Sequence, residues 1–95
     1  MKTLILGKWW TRKLVGGKLA RDSGECNIDK CEILQSKSEC EQQRRDTLLH
    51  EHLHAIFDSL GIKIAEYKVH ALACCMLQVL RDNPELVEYL LKENE

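Results

Sequence analysis

The chain has 95 residues, of which 44% are hydrophobic and 31% are charged, and its formal net charge is −1. This length allows one small domain with a thin core, in which a bound ion would add materially to stability. The near-neutral charge argues against a nucleic-acid partner, which usually requires a clear basic excess. No apolar run is long enough to span a bilayer, and the opening MKTLIL is too short for the core of a signal peptide. We therefore expect a cytoplasmic protein without a nucleic-acid or membrane partner.

Residues 1–39 are expected to form the sheet-rich part of the domain. Short apolar stretches alternate there with glycines, at Gly7, at Gly16 and Gly17, and at Gly24, and this pattern is typical of strands and turns. It predicts two or three strands, at roughly 2–6, 9–15 and 28–35, which would form a small antiparallel sheet. Trp9 and Trp10 follow one another, so we expect one of the two rings in the core.

Residues 40–95 have a helical pattern. Apolar residues recur there at spacings of four, three and four, which places them along one side of a helix: Leu49, Leu53, Ile56, Leu60. Gly61 is expected to end that helix. A second helix would begin near Ala65 and be interrupted at Asn83, because Pro84 lacks a backbone donor and suits the first turn of a short third helix. The expected fold class is α+β, a small sheet followed by a helical hairpin and a C-terminal helix.

The second predicted helix has its own apolar face. Its expected buried residues are Val69, Leu72, Met76, Val79 and Leu80.

The cysteines predict neither a disulfide framework nor a thiolate zinc site. Their number is odd and the chain has no C-x-x-C pair, which favours reduced thiols: Cys26, Cys31, Cys40, Cys74, Cys75.

The strongest chemical signal is the sequence H-E-x-x-H, formed by His50, Glu51 and His54 on the first predicted helix. Residues four apart project from one face, so both imidazoles can bind one zinc ion at about 2.0–2.1 Å. Glu51 lies about 100° around the helix, where its carboxylate can reach a zinc-bound water and act as a general base. The plainer interpretation is a solvated histidine-rich face. The helical context favours the zinc site, with His52 pointing away from it.

A catalytic zinc site usually has three protein ligands and a water molecule. Glu66 and His70 share one face of the second helix, which packs back against the first, so either could complete the site. Asp58 follows His54 by one turn and is a less favoured candidate, better suited to orienting a histidine. For Glu66, a carboxylate that merely stabilises a helix N-terminus is the competing interpretation. The spacing of the residues does not choose between Glu66 and His70.

Four stretches resemble small phage- and prophage-type proteins related to the minimal gluzincins, the most compact zincin-fold metallopeptidases. These stretches are Ile5-Leu6-Gly7-Lys8, residues 47–56 (TLLHEHLHAI), Glu66-x-x-Val69-x-x-Leu72-Ala73 and residues 78–84 (QVLRDNP). The resemblance implies one zincin-like domain over residues 1–95, in the cytoplasm of the host cell if the protein is encoded by a phage. It also favours Glu66 over His70 as the third ligand, because in gluzincins a glutamate from the next helix completes the zinc site.

The predicted function is therefore zinc-dependent hydrolysis of peptide bonds. His50, His54 and Glu66 would bind zinc, Glu51 would be the catalytic base, and the substrate would be a peptide or protein bound between an edge strand and the helix. The alternative is a non-catalytic binding or regulatory module that zinc stabilises. A third hypothesis is a metal-free adaptor that docks through leucines of the last helix.

Overall fold

The structure is a computed structural model that describes residues 1–16 and 24–93. Gly17, of the glycine pair that follows the second predicted strand, and the last two residues lie outside these ranges. The elements in chain order are β1 (Lys2–Ile5), β2 (Lys8–Val15), β3 (Gly24–Asn27), β4 (Glu32–Ser36), α1 (Glu41–Leu60), α2 (Glu66–Asp82) and α3 (Pro84–Leu91). The α+β class is confirmed, and so are the helical hairpin and the short last helix.

The described sheet has four strands in the order β1-β2-β4-β3, with β2 and β4 parallel and the other neighbours antiparallel. The prediction of two or three strands in an antiparallel sheet was therefore wrong. The predicted strand 28–35 spans a turn and β4, while β3 precedes that turn. Cys31 adopts a left-handed φ of 50°, and the Asn27 side chain accepts a hydrogen bond from the Lys30 amide at 3.2 Å. These local features reverse the chain direction within residues 28–35, which the apolar pattern had indicated as one continuous strand.

The ends of the predicted helices agree with the structure. Gly61 has a left-handed φ of 70°, and its amide donates to the Asp58 carbonyl at 3.1 Å. The next amide, of Ile62, donates to the Phe57 carbonyl at 2.9 Å, so the exposed carbonyls at the end of α1 gain partners. Gly61 thus turns the chain so that α2 can pack against α1. Pro84 occupies the first turn of α3, as expected.

Helix α1 lies between the sheet and α2, and a separate apolar cluster fills each side. The cluster on the sheet side consists of Ile5, Trp10, Ile33 and Ala55, and the cluster on the α2 side consists of Leu53, Val69 and Ala73. Leu72 and Val79, which were expected to be buried, are exposed, and so is Leu60 at the end of the apolar side of α1. Helical periodicity indicated the apolar face of each helix. It did not indicate how much of that face the neighbouring element covers. No helix among the described residues is long and apolar enough to cross a membrane.

The two tryptophans allow a matched test of the sheet-side cluster. Trp10 is 1% exposed and Trp9 is 63% exposed, so Trp10→Ala removes a core ring while Trp9→Ala removes a surface ring. We expect Trp10→Ala to lower the free energy of unfolding by about 3–5 kcal/mol. Trp9→Ala should lower it by less than about 1 kcal/mol, the scale of a cross-strand pair. Urea unfolding followed by circular dichroism measures both, and equal losses would contradict the assignment of Trp10 to the core.

Candidate metal centre

His50 and His54 project from α1 one turn apart. Their side chains are only 14% and 12% exposed, and their Nε2 atoms lie 3.2 Å apart. Two nitrogens bound to one tetrahedral zinc ion at the usual bond length are separated by about 3.3 Å. The two imidazoles therefore have the spacing that a shared ion requires.

Glu66, in the first turn of α2, brings a carboxylate to both imidazoles. Its Oε1 lies 2.6 Å from His50 Nε2, and its Oε2 lies 2.9 Å from His54 Nε2. The carboxylate thus contacts both candidate ligands across the helical hairpin, and Val69, one turn further along α2, is fully buried against α1. Two imidazole nitrogens and a carboxylate converge on one point, and this donor set is common at catalytic zinc sites.

The environment of His50 favours its neutral form. Burial lowers the pKa of His50, and the neighbouring His54 and His70 lower it further when they are charged. The Glu66 carboxylate opposes this shift, but burial is the larger effect. Because a metal binds the neutral imidazole, the lowered pKa of His50 is compatible with a ligand role near neutral pH.

Glu51 is buried beside the two histidines, with a residue exposure of only 2%. One ligand atom from each of Glu51, His50 and His54 lies within 4.8 Å of the others. Placing a carboxyl group in the interior normally opposes folding, so a buried glutamate beside two histidines is a feature of functional sites. The structure therefore brings together the four residues that the sequence analysis assigned to the centre.

A close approach of β3 to α1 fixes the surroundings of Glu51. Gly24, the first residue of β3, is buried, and a Cβ atom placed on it would lie 2.7 Å from Thr47 Cγ2 and 3.1 Å from Glu51 Oε2. A side chain at position 24 would therefore occupy space that the glutamate uses. This role of Gly24 was not predicted, because a single glycine between short segments is also typical of an ordinary turn.

His70 and Asp58, the other candidates for the third ligand, lie beside the histidine pair in different positions. The His70 ring centroid is 6.1 Å from that of His50, compared with 4.8 Å between His50 and His54. His70 lines the cleft beside the centre. Asp58 is exposed and lines an adjacent groove together with His54 and Glu66.

His52 has a structural position, away from the candidate ligands. Its Nδ1 lies 2.8 Å from the Leu48 carbonyl oxygen, to which a protonated Nδ1 donates. In the neutral ring Nε2 is then an acceptor, and it lies 2.9 Å from the Thr3 hydroxyl, which donates to it. His52 thus links α1 to β1, so the expectation that it points away from the zinc site agrees with the structure.

A cleft of about 190 Å³ opens onto the centre. Its walls come from β3 (Gly24), from α1 (Asp46, Thr47, His50, Glu51) and from α2 (Glu66, His70, Ala73, Cys74). Since β3 is an edge strand of the described sheet, the cleft lies between an edge strand and two helices.

Comparisons with models of protein families, with curated proteins and with solved structures found no significant match. The support for a function therefore comes from the residues of the centre and their geometry.

The contact between β3 and α1 predicts an unusual sensitivity at position 24. We expect Gly24→Ala to lower the free energy of unfolding by about 1–3 kcal/mol, because the added methyl group overlaps the Thr47 methyl group. Thr47→Ser removes that methyl group and keeps the hydroxyl, which donates to Glu39 Oε2 at 3.0 Å. The double variant should therefore recover part of the loss, as measured by chemical unfolding.

Gly16→Ala is the control for this series, because a Cβ atom at Gly16 would meet no atom of the described residues within 4 Å. It should leave stability nearly unchanged. Strict additivity of Gly24→Ala and Thr47→Ser would show that the two side chains do not compete for space.

Proposed function

We propose that this chain is a zinc-dependent peptidase of the H-E-x-x-H type with a zincin-like arrangement of sheet and helices. The observation that carries the proposal is the convergence of His50, His54 and Glu66 beside the buried carboxyl group of Glu51. Each of these residues has a role that H-E-x-x-H chemistry requires.

The donor set fits zinc. Two imidazole nitrogens and one carboxylate form the three-ligand set that leaves a fourth position for water or substrate, and the cleft gives access to it. A structural zinc site is usually closed by four protein ligands. Zinc bound by His50, His54 and Glu66 would supply Lewis-acid activation of a water molecule and of the substrate carbonyl.

Glu51 is the general base in this proposal. Its carboxylate accepts the proton of the attacking water and later returns it to the nitrogen of the leaving amine. Its low exposure keeps bulk water away, which strengthens electrostatic interactions within the site. Thr47 and Gly24 limit the space open to its side chain, so they position the carboxylate.

The cleft suits an extended peptide. The backbone groups on the outer side of an edge strand have no partner strand and can pair with a peptide that adds to the sheet. Among the described strands β3 is such an edge strand, and Gly24 lies at the cleft wall beside Glu51. A peptide aligned along β3 would pass over the candidate ligands.

A second candidate function is a binding module that zinc stabilises, and one observation favours it. The ligands come from both arms of the helical hairpin, while the cluster of fully buried residues between α1 and α2 is small. An ion held across the hairpin would then contribute to folding itself. The two functions differ in what Glu51 does, because a structural ion has no use for a general base.

The first test is metal content. Protein purified without a histidine tag should hold one zinc ion per chain, as measured by elemental analysis, because the three ligands are already close together. Glu66→Gln should weaken zinc binding at least about tenfold, since it removes the anionic ligand. The control is Asp58→Asn, which alters the neighbouring groove and should leave affinity unchanged. Equal effects of the two substitutions would argue against Glu66 as a ligand.

The second test concerns Glu51. Glu51→Gln should retain zinc and lower the rate of cleavage of unstructured peptides by at least about 100-fold, because the proton acceptor is lost. Glu88→Gln, on the exposed part of α3, is the matched control and should cleave at the wild-type rate. If wild-type protein loaded with zinc cleaves no peptide but unfolds when zinc is chelated, the binding module replaces the peptidase.

A further inference from the structure

His70 and Cys74 form a second pair of metal-binding side chains on the wall of the same cleft. They lie four residues apart on α2, so they project from one face of that helix. His70 Nε2 and Cys74 Sγ are 3.9 Å apart, and both residues line the cleft. Neither residue takes part in the proposed hydrolysis.

The separation of these two atoms is close to what one ion requires. A tetrahedral zinc ion bound to one imidazole nitrogen and one thiolate sulfur holds the two atoms about 3.6 Å apart. A small side-chain rotation closes the difference from the observed 3.9 Å, and both side chains are exposed enough to make it. A thiolate and an imidazole also share a preference for zinc, cadmium and cobalt over magnesium or calcium.

This pair is distinct from the first set of ligands. Glu66 contacts both His50 and His54, whereas the His70 ring is offset from that of His50 by 6.1 Å. Asp46 lines the same cleft, and its side chain carries a carboxylate. Together with the thiolate of Cys74, it can offset the two charges of a second ion held near the first.

We propose that His70 and Cys74 bind a second, thiophilic divalent ion in the cleft, with water completing its coordination. On binding, the Cys74 thiol gives its proton to the solvent and the sulfur ligates as thiolate. The inference does not depend on peptidase activity, because the pair can bind an ion whether or not the first centre hydrolyses a substrate.

Cys75 provides a matched control. It is the next residue on α2, is also exposed, and is chemically identical, but it does not line the cleft. Its side chain projects about 100° around the helix from that of Cys74. Substitution of either cysteine by serine therefore removes one exposed thiol from α2, but only Cys74→Ser removes a ligand of the proposed ion.

The probe is Co²⁺, added to metal-free full-length protein. The protein is kept reduced by a phosphine, because a thiol reductant would itself bind cobalt through sulfur. Wild-type protein should bind two ions per chain. The first should give no thiolate-to-cobalt charge-transfer band, since its ligands are nitrogen and oxygen, and the second should give one. Cys74→Ser and His70→Ala should bind one ion without the band, and Cys75→Ser should match the wild type. Circular dichroism checks that each variant is folded.

Several outcomes would overturn the inference. Equal behaviour of Cys74→Ser and Cys75→Ser would show that the thiolate in the cleft is not a ligand. A single ion with a charge-transfer band would mean that Cys74 joins the first centre. One ion without the band would reject the second site and leave the first intact. Conversely, His50→Ala/His54→Ala protein that keeps only the ion with the band would support the second site and would show that the first ion depends on these two histidines.

Discussion

The packing of α1 between the sheet and α2 is the constraint that places every candidate ligand. Ala55 packs against the sheet and Leu53 packs against α2, so the rotation of α1 about its axis is fixed from two sides. With that rotation fixed, His50 and His54 meet Glu66 of α2, while Glu51 meets the beginning of β3. The site is therefore a consequence of core packing, because a rotation of α1 that changed the neighbours of these residues would also expose the apolar residues of both clusters.

The same arrangement places polar groups where a small domain would otherwise bury apolar ones. A carboxyl group and two imidazoles occupy a buried face of α1, and burial of such groups opposes folding unless they gain compensating interactions. Contacts among Glu66, His50 and His54 supply part of that compensation. A bound ion would supply more, because it pairs with all three at once. Under either proposed function, stability is therefore expected to depend on the proposed ion.

The parts of the fold and site that could be predicted are those set by local periodicity and by single special residues. The four-residue spacing of His50 and His54, the stop at Gly61 and the restart at Pro84 all follow from helix geometry, and each agrees with the structure. The choice between Glu66 and His70 did not follow from spacing, because it depends on how α2 lies against α1. The prediction of an antiparallel sheet was wrong for the same reason: the parallel pairing of β2 with β4 is a long-range contact that no local pattern specifies.

Helical spacing also explains why the cleft is rich in metal-binding atoms. On α1 the pattern presents His50 and His54, and on α2 it presents Glu66, His70 and Cys74, each one turn after the last. Where two adjacent helices pack, side chains that repeat at every turn on their facing sides come close together. At Glu66 three side chains converge, because its carboxylate contacts both His50 and His54. Further along α2, the His70 nitrogen lies close to the Cys74 sulfur. Because each added ligand increases affinity, the proposed site with three protein ligands should bind metal first. The proposed site formed by His70 and Cys74 should bind metal only when more of it is free.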